Sequence, residues 1–174
     1  MANKNVRPGL LQRELQQRGG FSSPAEEAFL NLQRTTGILM QSFAQILKEA
    51  GGPDLSTAQY NVLRILRGSH PDALSCGEIG QRMVTADPDV TRLVDRLVRR
   101  DLAARSRDAA DRRVVKVVIT AAGLQLLTRL DGVVAAWLEG HLGHLEVSRL
   151  ERLSRLLEQA RKGATGNAGE AAKG

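Results

Sequence analysis

The chain has few aromatic residues, one cysteine and no long apolar run, and each shortage excludes something. Phe, Trp and Tyr make up 3% of the 174 residues, so a core has to consist mostly of Leu, Val, Ile and Ala. A single cysteine, Cys76, excludes a disulfide within the chain and fits a reducing compartment. No window approaches the roughly 18 consecutive apolar residues of a membrane helix, and residues 1–20 lack the apolar segment of a signal peptide. We therefore expect a cytoplasmic protein with no membrane partner.

Sequence signatures of enzymes and metal sites are also missing. The chain has no Gly-rich phosphate loop, no G-x-S-x-G turn and no H-E-x-x-H helix. His141 and His144 are spaced to face one way on a helix, but no cysteine or acidic residue completes a zinc ligand set. We predict no catalytic residues, no metal site and no cofactor, and therefore a protein that is not an enzyme.

Positive charge is what the chain has in excess, and most of it lies in one stretch. The net charge is +6 and the isoelectric point is about 10.2. Residues 92–116 contain nine Arg or Lys and four Asp, a net +5 out of the +6 of the whole chain. A charged run is usually a solvated helix face followed by a polar loop. The concentration of charge here, together with the order of elements described below, favours an anionic partner, and nucleic acid is the leading candidate.

Three capping patterns mark the starts of predicted helices. The tetrads SPAE, STAQ and SCGE begin at Ser23, Ser56 and Ser75, and each places Glu or Gln three residues after Ser. The first tetrad opens a predicted helix of about 30 residues that ends at the GGP of residues 51–53. A helix of this length exceeds what a small core needs and indicates a role between subunits.

The charged stretch begins with a predicted helix and continues into a predicted hairpin. In ADPDVTRLVDRLVRRD, Asp87 is the predicted cap and Pro88 a first-turn residue, with an apolar stripe on one face and arginines on the other. The segments LAARS and VVKVVI have the pattern of strands, and RDAAD between them predicts a hairpin. The middle of the chain is thus a helix, a short helix, a turn, a helix and a hairpin. This order is typical of a helix-turn-helix followed by a wing, which places its second helix in the major groove of DNA.

The C-terminal part is predicted to be helical, apart from a tail. One helix starts at Thr120, and a last helix covers about residues 147–162. Residues 163–174 are small, polar and glycine-rich, and predict a disordered tail. The last helix has an apolar stripe formed by Leu150, Leu153, Leu156 and Leu157.

Four segments together resemble the multiple-antibiotic-resistance regulator (MarR) family of winged helix-turn-helix transcription factors: LSTAQYNVLRIL, LSCGEIGQRM, VTRLVDRLVRRDLAAR and DAADRRVVKVVITAAG. The resemblance implies a mostly helical fold with a small β-hairpin wing, over about residues 23–162. It assigns the winged helix-turn-helix lobe to about residues 55–120 and the dimerisation helices to about 24–50 and 121–162. Residues 1–22 are then a partly flexible N-terminal extension. It further implies a homodimer, held by the four leucines of the last helix, that binds a pseudo-palindromic operator on double-stranded DNA as a repressor.

The resemblance also implies roles for individual residues of the charged stretch. Asp108 and Asp111 would orient the wing, with Asp111 forming an ion pair with the arginines at its tip. Arg112 and Arg113 would reach the minor groove, where a narrow A·T-rich stretch attracts arginine. The whole set implied to bind DNA is Thr91, Arg92, Arg96, Arg99, Arg107, Arg112 and Arg113.

Two departures from the family pattern leave an alternative open. Asp87 and Asp89 stand at the start of the predicted recognition helix, where family members usually present neutral or basic groups to DNA. They favour the alternative of a winged-helix dimer that binds a partner protein and not DNA. Asp101 stands where glycine is usual in the turn after this helix, and Asp tolerates the left-handed conformation moderately well.

Members of the family often respond to a small phenolic or anionic effector. Cys76 is not expected to be an oxidant sensor, because the sensing members place their cysteine in the first long helix. The urate-responsive branch has a tryptophan near the start of the chain, whereas Trp137 here is in the second half. Four aromatic residues are candidates to line a pocket, although aromatic residues at helical spacing more often belong to a core; they are Phe29, Phe43, Tyr60 and Trp137.

Overall fold

The structure, a computed structural model, describes residues 9–107 and 115–171. The described elements are, in chain order, α1 (Leu10–Glu14), α2 (Pro24–Gly51), α3 (Thr57–Ser69), β1 (Leu74–Ser75), α4 (Cys76–Arg82), α5 (Val90–Arg99), β2 (Ala103–Arg107), β3 (Val115–Ile119), α6 (Ala121–Leu142) and α7 (Val147–Ala171). A mostly helical protein with a small antiparallel sheet was expected from the sequence, and this fold class is confirmed.

The long helix α2 starts where its capping pattern predicts. The Ser23 hydroxyl accepts a hydrogen bond from the Glu26 backbone N–H at 3.1 Å. The Glu26 carboxylate in turn accepts from the Ser22 hydroxyl and backbone N–H, which lowers the pKa of that carboxyl. Leu47 is the one side chain that α2 buries fully within the described chain, while apolar side chains such as Phe29 and Ile38 stay exposed. Most of this helix therefore does not contribute to the core of this chain.

The helices α3, α4 and α5 enclose a small core beneath the sheet. The capping boxes predicted at Ser56 and Ser75 form, because Ser56 exchanges hydrogen bonds with Gln59, and Ser75 does so with Glu78. The box predicted at Ser23 does not close, since the Glu26 carboxylate bonds to Ser22 instead. Aliphatic side chains from these helices and from β3 are buried together; they are Val62, Leu63, Leu66, Ile79, Val94, Leu97 and Val117. This core fixes α5 against α3 and α4, so the direction of the charged helix is set by packing.

The sheet has three strands in the order β1-β3-β2, all antiparallel. Strands β2 and β3 pair from Ala103 opposite Ile119 to Arg107 opposite Val115, as the hairpin prediction requires. Strand β1, in which Leu74 pairs with Val117, is not predicted from the sequence. Two residues are too few to show the alternation that marks a strand, so only tertiary pairing identifies them.

The turn after α5 lies close to the start of α6. Asp101 has a φ of 56°, so this aspartate adopts the left-handed conformation expected for the usual glycine. Thr120 caps α6, since its hydroxyl accepts from the Gly123 backbone N–H at 3.1 Å and donates to the Asp101 carbonyl at 2.6 Å. A Cβ on Gly123 would lie 2.2 Å from the Leu102 carbonyl oxygen, so a side chain has no room there.

Helix α7 continues to Ala171, beyond the helix end predicted near residue 162. The sequence predicts a disordered tail over residues 163–174, whereas the backbone of residues 163–171 is helical in the structure; the disorder itself stays a prediction. The alanines of this segment favour helix, and extending an existing helix costs less than starting one. Residues 172–174, and residues 1–8 of the predicted N-terminal extension, lie outside the described ranges.

Contacts divide the chain into two units, one up to Leu130 and one from Asp131 onward. The first unit contains the helix-turn-helix, the sheet, α1 and α2. The second contains the rest of α6 together with α7. Among the described helices, none has the length and the apolar composition needed to cross a membrane.

Candidate nucleic-acid interface

Helix α5 separates its apolar and its polar residues onto opposite faces. Leu93, Val94 and Leu97 are buried. The polar face carries the four residues that the sequence predicts to contact DNA from this helix, and all of them are exposed; they are Thr91, Arg92, Arg96 and Arg99. The helix therefore presents three guanidinium groups to solvent on an element that cannot rotate without exposing its core side chains.

Asp89, and not Asp87, caps this helix. The Asp89 carboxylate accepts from the Arg92 backbone N–H at 3.0 Å, and α5 begins at Val90. Asp87 lies one step earlier, where its carboxylate accepts from the Asp89 backbone N–H at 2.8 Å. The prediction of Asp87 as the cap is wrong, because Asp and Pro residues at 87–89 fit a turn before the helix as well as its first turn. Both carboxylates are thus bonded to the backbone at the positive end of the helix dipole, where negative charge is stabilising.

Two ion pairs connect the sheet to the helices below it. The Arg105 side chain on β2 lies 2.7 Å from the Asp95 carboxylate on α5. Lys116 on β3 lies 3.6 Å from the Glu78 carboxylate on α4. All four side chains are partly exposed, so each pair contributes little to stability but does fix the base of the hairpin relative to the recognition helix. Asp95 and Arg105 are not among the site residues predicted from the sequence, where their only signal is opposite charge in neighbouring predicted elements.

The turn between α4 and α5 exposes an apolar side chain. The Val84 backbone N–H donates to the Asn61 side-chain oxygen at 2.9 Å, which holds the turn against α3. The Val84 side chain is nevertheless 84% exposed, directly before the recognition helix. Val84 is not predicted as a site residue from the sequence, because an isolated valine in a turn carries no periodic signal.

The predicted wing residues lie only partly within the described ranges. Arg107 is the last residue of β2, opposite Val115. The tip residues Asp108, Asp111, Arg112 and Arg113 lie outside the described residues, so their predicted roles stay predictions.

A cavity of about 370 Å³ opens between α2, α3 and the turn before α5. The Phe43 and Tyr60 rings meet edge to face in its wall, with centroids 5.6 Å apart. The Arg64 guanidinium carbon lies 6.0 Å from the centre of the Tyr60 ring. Tyr60 thus belongs to the core and also lines a cavity, so the two possibilities left open for it both hold. Asp87 lines the same cavity, so the wall of the cavity includes a residue just before the start of α5.

The other residues considered as sensors have ordinary surroundings. His141 stacks on Trp137 with ring centroids 4.4 Å apart, and its Nδ1 lies 2.8 Å from the Trp137 carbonyl oxygen. Cys76 is the first residue of α4 and is half-buried. Over residues 9–107 and 115–171, no group of His, Cys, Asp and Glu side chains has the arrangement of a metal site.

The leucine stripe of α7 lies on a helix whose side chains are largely exposed. Leu153 is 42% and Leu156 is 53% exposed, while Leu150 and Leu157 are intermediate. Exposed leucines in a row along one face indicate a surface that another chain can cover.

The sequence and the fold both match known regulators. Residues 54–114 match the model of the MarR family. A MarR transcription factor from Planctomyces limnophilus is 42% identical over 80% of this chain and 99% of its own, with a TM-score of 0.58. BpsR from Bordetella bronchiseptica, whose DNA binding is regulated by 6-hydroxynicotinic acid, is 25% identical over 82% of this chain and 98% of its own, with a TM-score of 0.70. Sco3205 from Streptomyces coelicolor, solved in complex with DNA, has a TM-score of 0.74 at 15% identity and covers 84% of this chain and 92% of its own. Functionally curated proteins give no significant match.

A winged helix-turn-helix with a charged, capped recognition helix defines a class of DNA-binding transcription regulators. The 42% identical relative, matched over almost its whole length, assigns the chain more narrowly: it belongs to the MarR family. The resemblance inferred from the four segments is confirmed, and with it the prediction of a regulator and not an enzyme.

Proposed function

We propose that the protein is a ligand-responsive repressor in the cytoplasm that binds a pseudo-palindromic operator as a homodimer. One observation carries the proposal. Helix α5 buries its apolar face against the lobe, while Thr91, Arg92, Arg96 and Arg99 stand exposed on the other face. An exposed arginine face on a packed helix is suited to the major groove, where arginine reads guanine or holds phosphate.

In this proposal the hairpin contacts the neighbouring minor groove. Arg107 would approach the backbone from the end of β2, and Arg112 and Arg113 would enter the groove from the tip. Asp108 and Asp111 would orient the tip. The Asp95–Arg105 ion pair supports this arrangement, because it fixes the base of the hairpin to the helix that lies in the major groove.

A homodimer would use the surfaces that one chain leaves uncovered. The α7 stripe of Leu150, Leu153, Leu156 and Leu157 and the exposed apolar side chains of α2 support this assignment. A two-fold dimer has to present both recognition helices to one face of the duplex, so half-sites should be about 10 base pairs apart. A dimer bound over a promoter represses by excluding the polymerase.

The effector would occupy the cavity lined by Phe43, Tyr60 and Arg64. The aromatic rings suit a flat apolar ligand, and the guanidinium of Arg64 suits a carboxylate. BpsR, 25% identical to this chain, is regulated by 6-hydroxynicotinic acid, a compound of this kind. Because Asp87 lines the cavity and also bonds to Asp89, a ligand there would disturb the cap of α5.

The test is the selection of bound fragments from genomic DNA, followed by binding measurements on a selected duplex over a range of salt concentrations. A dimer with six to ten phosphate contacts should lose roughly 10³–10⁵-fold in affinity between 50 and 200 mM salt. Small aromatic acids should then release the duplex, and a promoter reporter should show repression in their absence. If no duplex binds at low salt, the alternative of a protein-interaction module replaces this proposal. Asp87 and Asp89 are the observation in its favour.

A further inference from the structure

A side chain at the end of α5 bonds to the end of α2, and the proposed function does not use it. Arg100 is the residue directly after the last turn of α5. Its Nη2 donates to the Gly51 carbonyl at 3.3 Å, across 49 positions of the sequence. Its Nη1 is inaccessible to solvent, so the protein encloses the guanidinium group on that side. Because Gly51 is the last residue of α2, its carbonyl lies at the negative end of the helix dipole, where a cation is stabilising.

The backbone offers little stiffness of its own where α2 ends. Gly51 is followed by Gly52, whose φ of 96° lies in the left-handed region that favours glycine. A Cβ on Gly52 would lie 3.8 Å from the Arg100 Nη2, so the guanidinium group is next to this turn. Within the described chain α2 buries only Leu47 fully, one turn before its end. The Arg100–Gly51 hydrogen bond therefore restrains α2 at a joint that has few other restraints.

The position of Arg100 gives this restraint a long lever. Helix α5 has 10 residues and is therefore about 15 Å long, with Arg100 at its C-terminal end and the base-contacting residues of a recognition helix at the other end. A rotation of about 6° at the Arg100 end would move the other end by about 1.5 Å. In a two-fold dimer both helices move, and the sum of about 3 Å is close to the rise of about 3.4 Å for one base pair.

We propose that Arg100 is a positioning residue that determines which spacing between half-sites the dimer selects. This inference rests on the proposed function, in which α2 is part of the dimer and α5 enters the major groove. The angle between α2 and α5 then fixes the distance between the two recognition helices. Arg100 contributes to this selectivity without contacting DNA, because its Nη2 is bonded to Gly51 and its Nη1 is inaccessible.

The test compares three duplexes that contain the same two half-sites. One has the spacing selected from genomic DNA, and the others have one base pair inserted or removed between the half-sites. The wild type should prefer the selected spacing by at least about tenfold, since the dimer geometry fixes the distance between half-sites. Arg100→Met removes the donor and keeps an aliphatic side chain. It should bind the selected duplex more weakly than the wild type, and its affinities for the three duplexes should lie within about threefold of each other.

Three further variants separate positioning from charge and from packing. Arg100→Lys keeps the charge and a donor, and should restore most of the preference for the selected spacing. Arg129→Met removes the same charge at an exposed position of α6 and should keep the wild-type preference. Arg99→Met removes an arginine proposed to contact DNA, and should weaken binding to all three duplexes by the same factor.

The spacing preference, and not the affinity alone, decides the outcome. If Arg100→Met does not fold, Arg100→Gln takes its place, because the glutamine side chain is too short to reach the Gly51 carbonyl. The inference is overturned if the variant keeps the wild-type preference, if it weakens all three duplexes equally as a phosphate contact would, or if Arg100→Lys restores nothing. A wild type that binds the three spacings equally well refutes the inference but leaves DNA binding intact. If no duplex binds at low salt, the proposed function fails and this inference fails with it.

Discussion

Arg105 on β2 and Asp95 on α5 form an ion pair of 2.7 Å between the base of the hairpin and the recognition helix. Both side chains are more than one-third exposed, so water screens the pair and its effect on folding stability is small. Its effect on geometry is larger, because it joins the two elements that are expected to contact neighbouring grooves of one duplex.

The Asp95–Arg105 ion pair predicts a change in DNA affinity opposite to the one that net charge alone predicts. Asp95→Asn raises the net charge by one, and charge alone would strengthen DNA binding. We expect the affinity to fall instead, by about two- to fivefold, the equivalent of up to about 1 kcal/mol, because the hairpin loses its tie to α5. Equilibrium binding of Asp95→Asn, Arg105→Ala and the double variant to a selected duplex measures the coupling. Tighter binding by Asp95→Asn would show that the ion pair does not position the hairpin.

The leucine stripe of α7 predicts how the proposed dimer can be broken. Each leucine buried between subunits contributes about 1.5–3 kcal/mol, so Leu153→Glu with Leu156→Glu should raise the dimer dissociation constant by at least about 100-fold. Ser148→Glu with Gln159→Glu adds the same two negative charges at exposed positions of α7 outside the leucine stripe and is the matched control. Sedimentation equilibrium distinguishes the two variants. A folded wild-type chain that is monomeric at micromolar concentration would contradict the assignment of this face.

The wing predicts a dependence on the sequence that flanks each half-site. If Arg113 lies in the minor groove, it responds mainly to groove width, which is narrow in A·T-rich DNA. Replacing A·T flanks by G·C should therefore lower the DNA affinity of the wild type strongly and that of Arg113→Ala only slightly. By contrast, loss of a base contact from Arg92 or Arg96 should cost about 1–3 kcal/mol and relax preference at one position. A double-mutant cycle between Arg113→Ala and the substitution of the flanking base pairs measures this coupling. Strictly additive losses of affinity would mean that residues 107–113, RDAADRR, act only as a solvated loop.

The cap of α4 predicts a pH-dependent loss of stability. The backbone N–H and the hydroxyl of Ser75 donate to the Glu78 carboxylate at 2.7 and 2.8 Å, and together with Lys116 they lower the pKa of Glu78. A lowered folded-state pKa means that this contribution is complete above the unfolded value of about 4.3 and is lost as the pH falls through the folded value. Glu78→Gln keeps an acceptor oxygen but cannot titrate. Urea unfolding from pH 7 to pH 3 should therefore show the gap between wild type and variant shrinking, and a constant gap would contradict this account.

Local sequence chemistry predicted much of the fold, for identifiable reasons. The helix caps at Ser23, Ser56 and Ser75 involve residues no more than four apart, so the sequence contains all the information needed. The left-handed turn at Asp101 follows from one position in a known pattern. Strand β1 could not be predicted, because its two residues become a strand only through pairing with β3.

The candidate site was predictable as a list of charges but not as an arrangement. The arginines of α5 follow from helical periodicity, whereas the exchange of roles between Asp87 and Asp89 depends on where the helix begins, and helix ends are poorly defined by pattern. The cavity lined by Asp54, Gln59, Arg96, Arg99 and Arg100 combines the α2–α3 turn, the first turn of α3 and the last turns of α5. No sequence pattern connects residues as distant as Asp54 and Arg100, so only the fold brings them together.

The glycines of α6 should differ in how much variation they tolerate. At Gly123 even a methyl group would overlap the Leu102 carbonyl, whereas nothing lies within 4 Å of a methyl group placed at Gly132. In a library of all single substitutions selected for folding, position 123 should retain glycine alone. At position 132 alanine should be enriched over glycine, because it favours helix by up to about 1 kcal/mol. The close contact between the turn after α5 and the start of α6 thus restricts which residues can evolve at position 123, and this restriction does not depend on DNA binding.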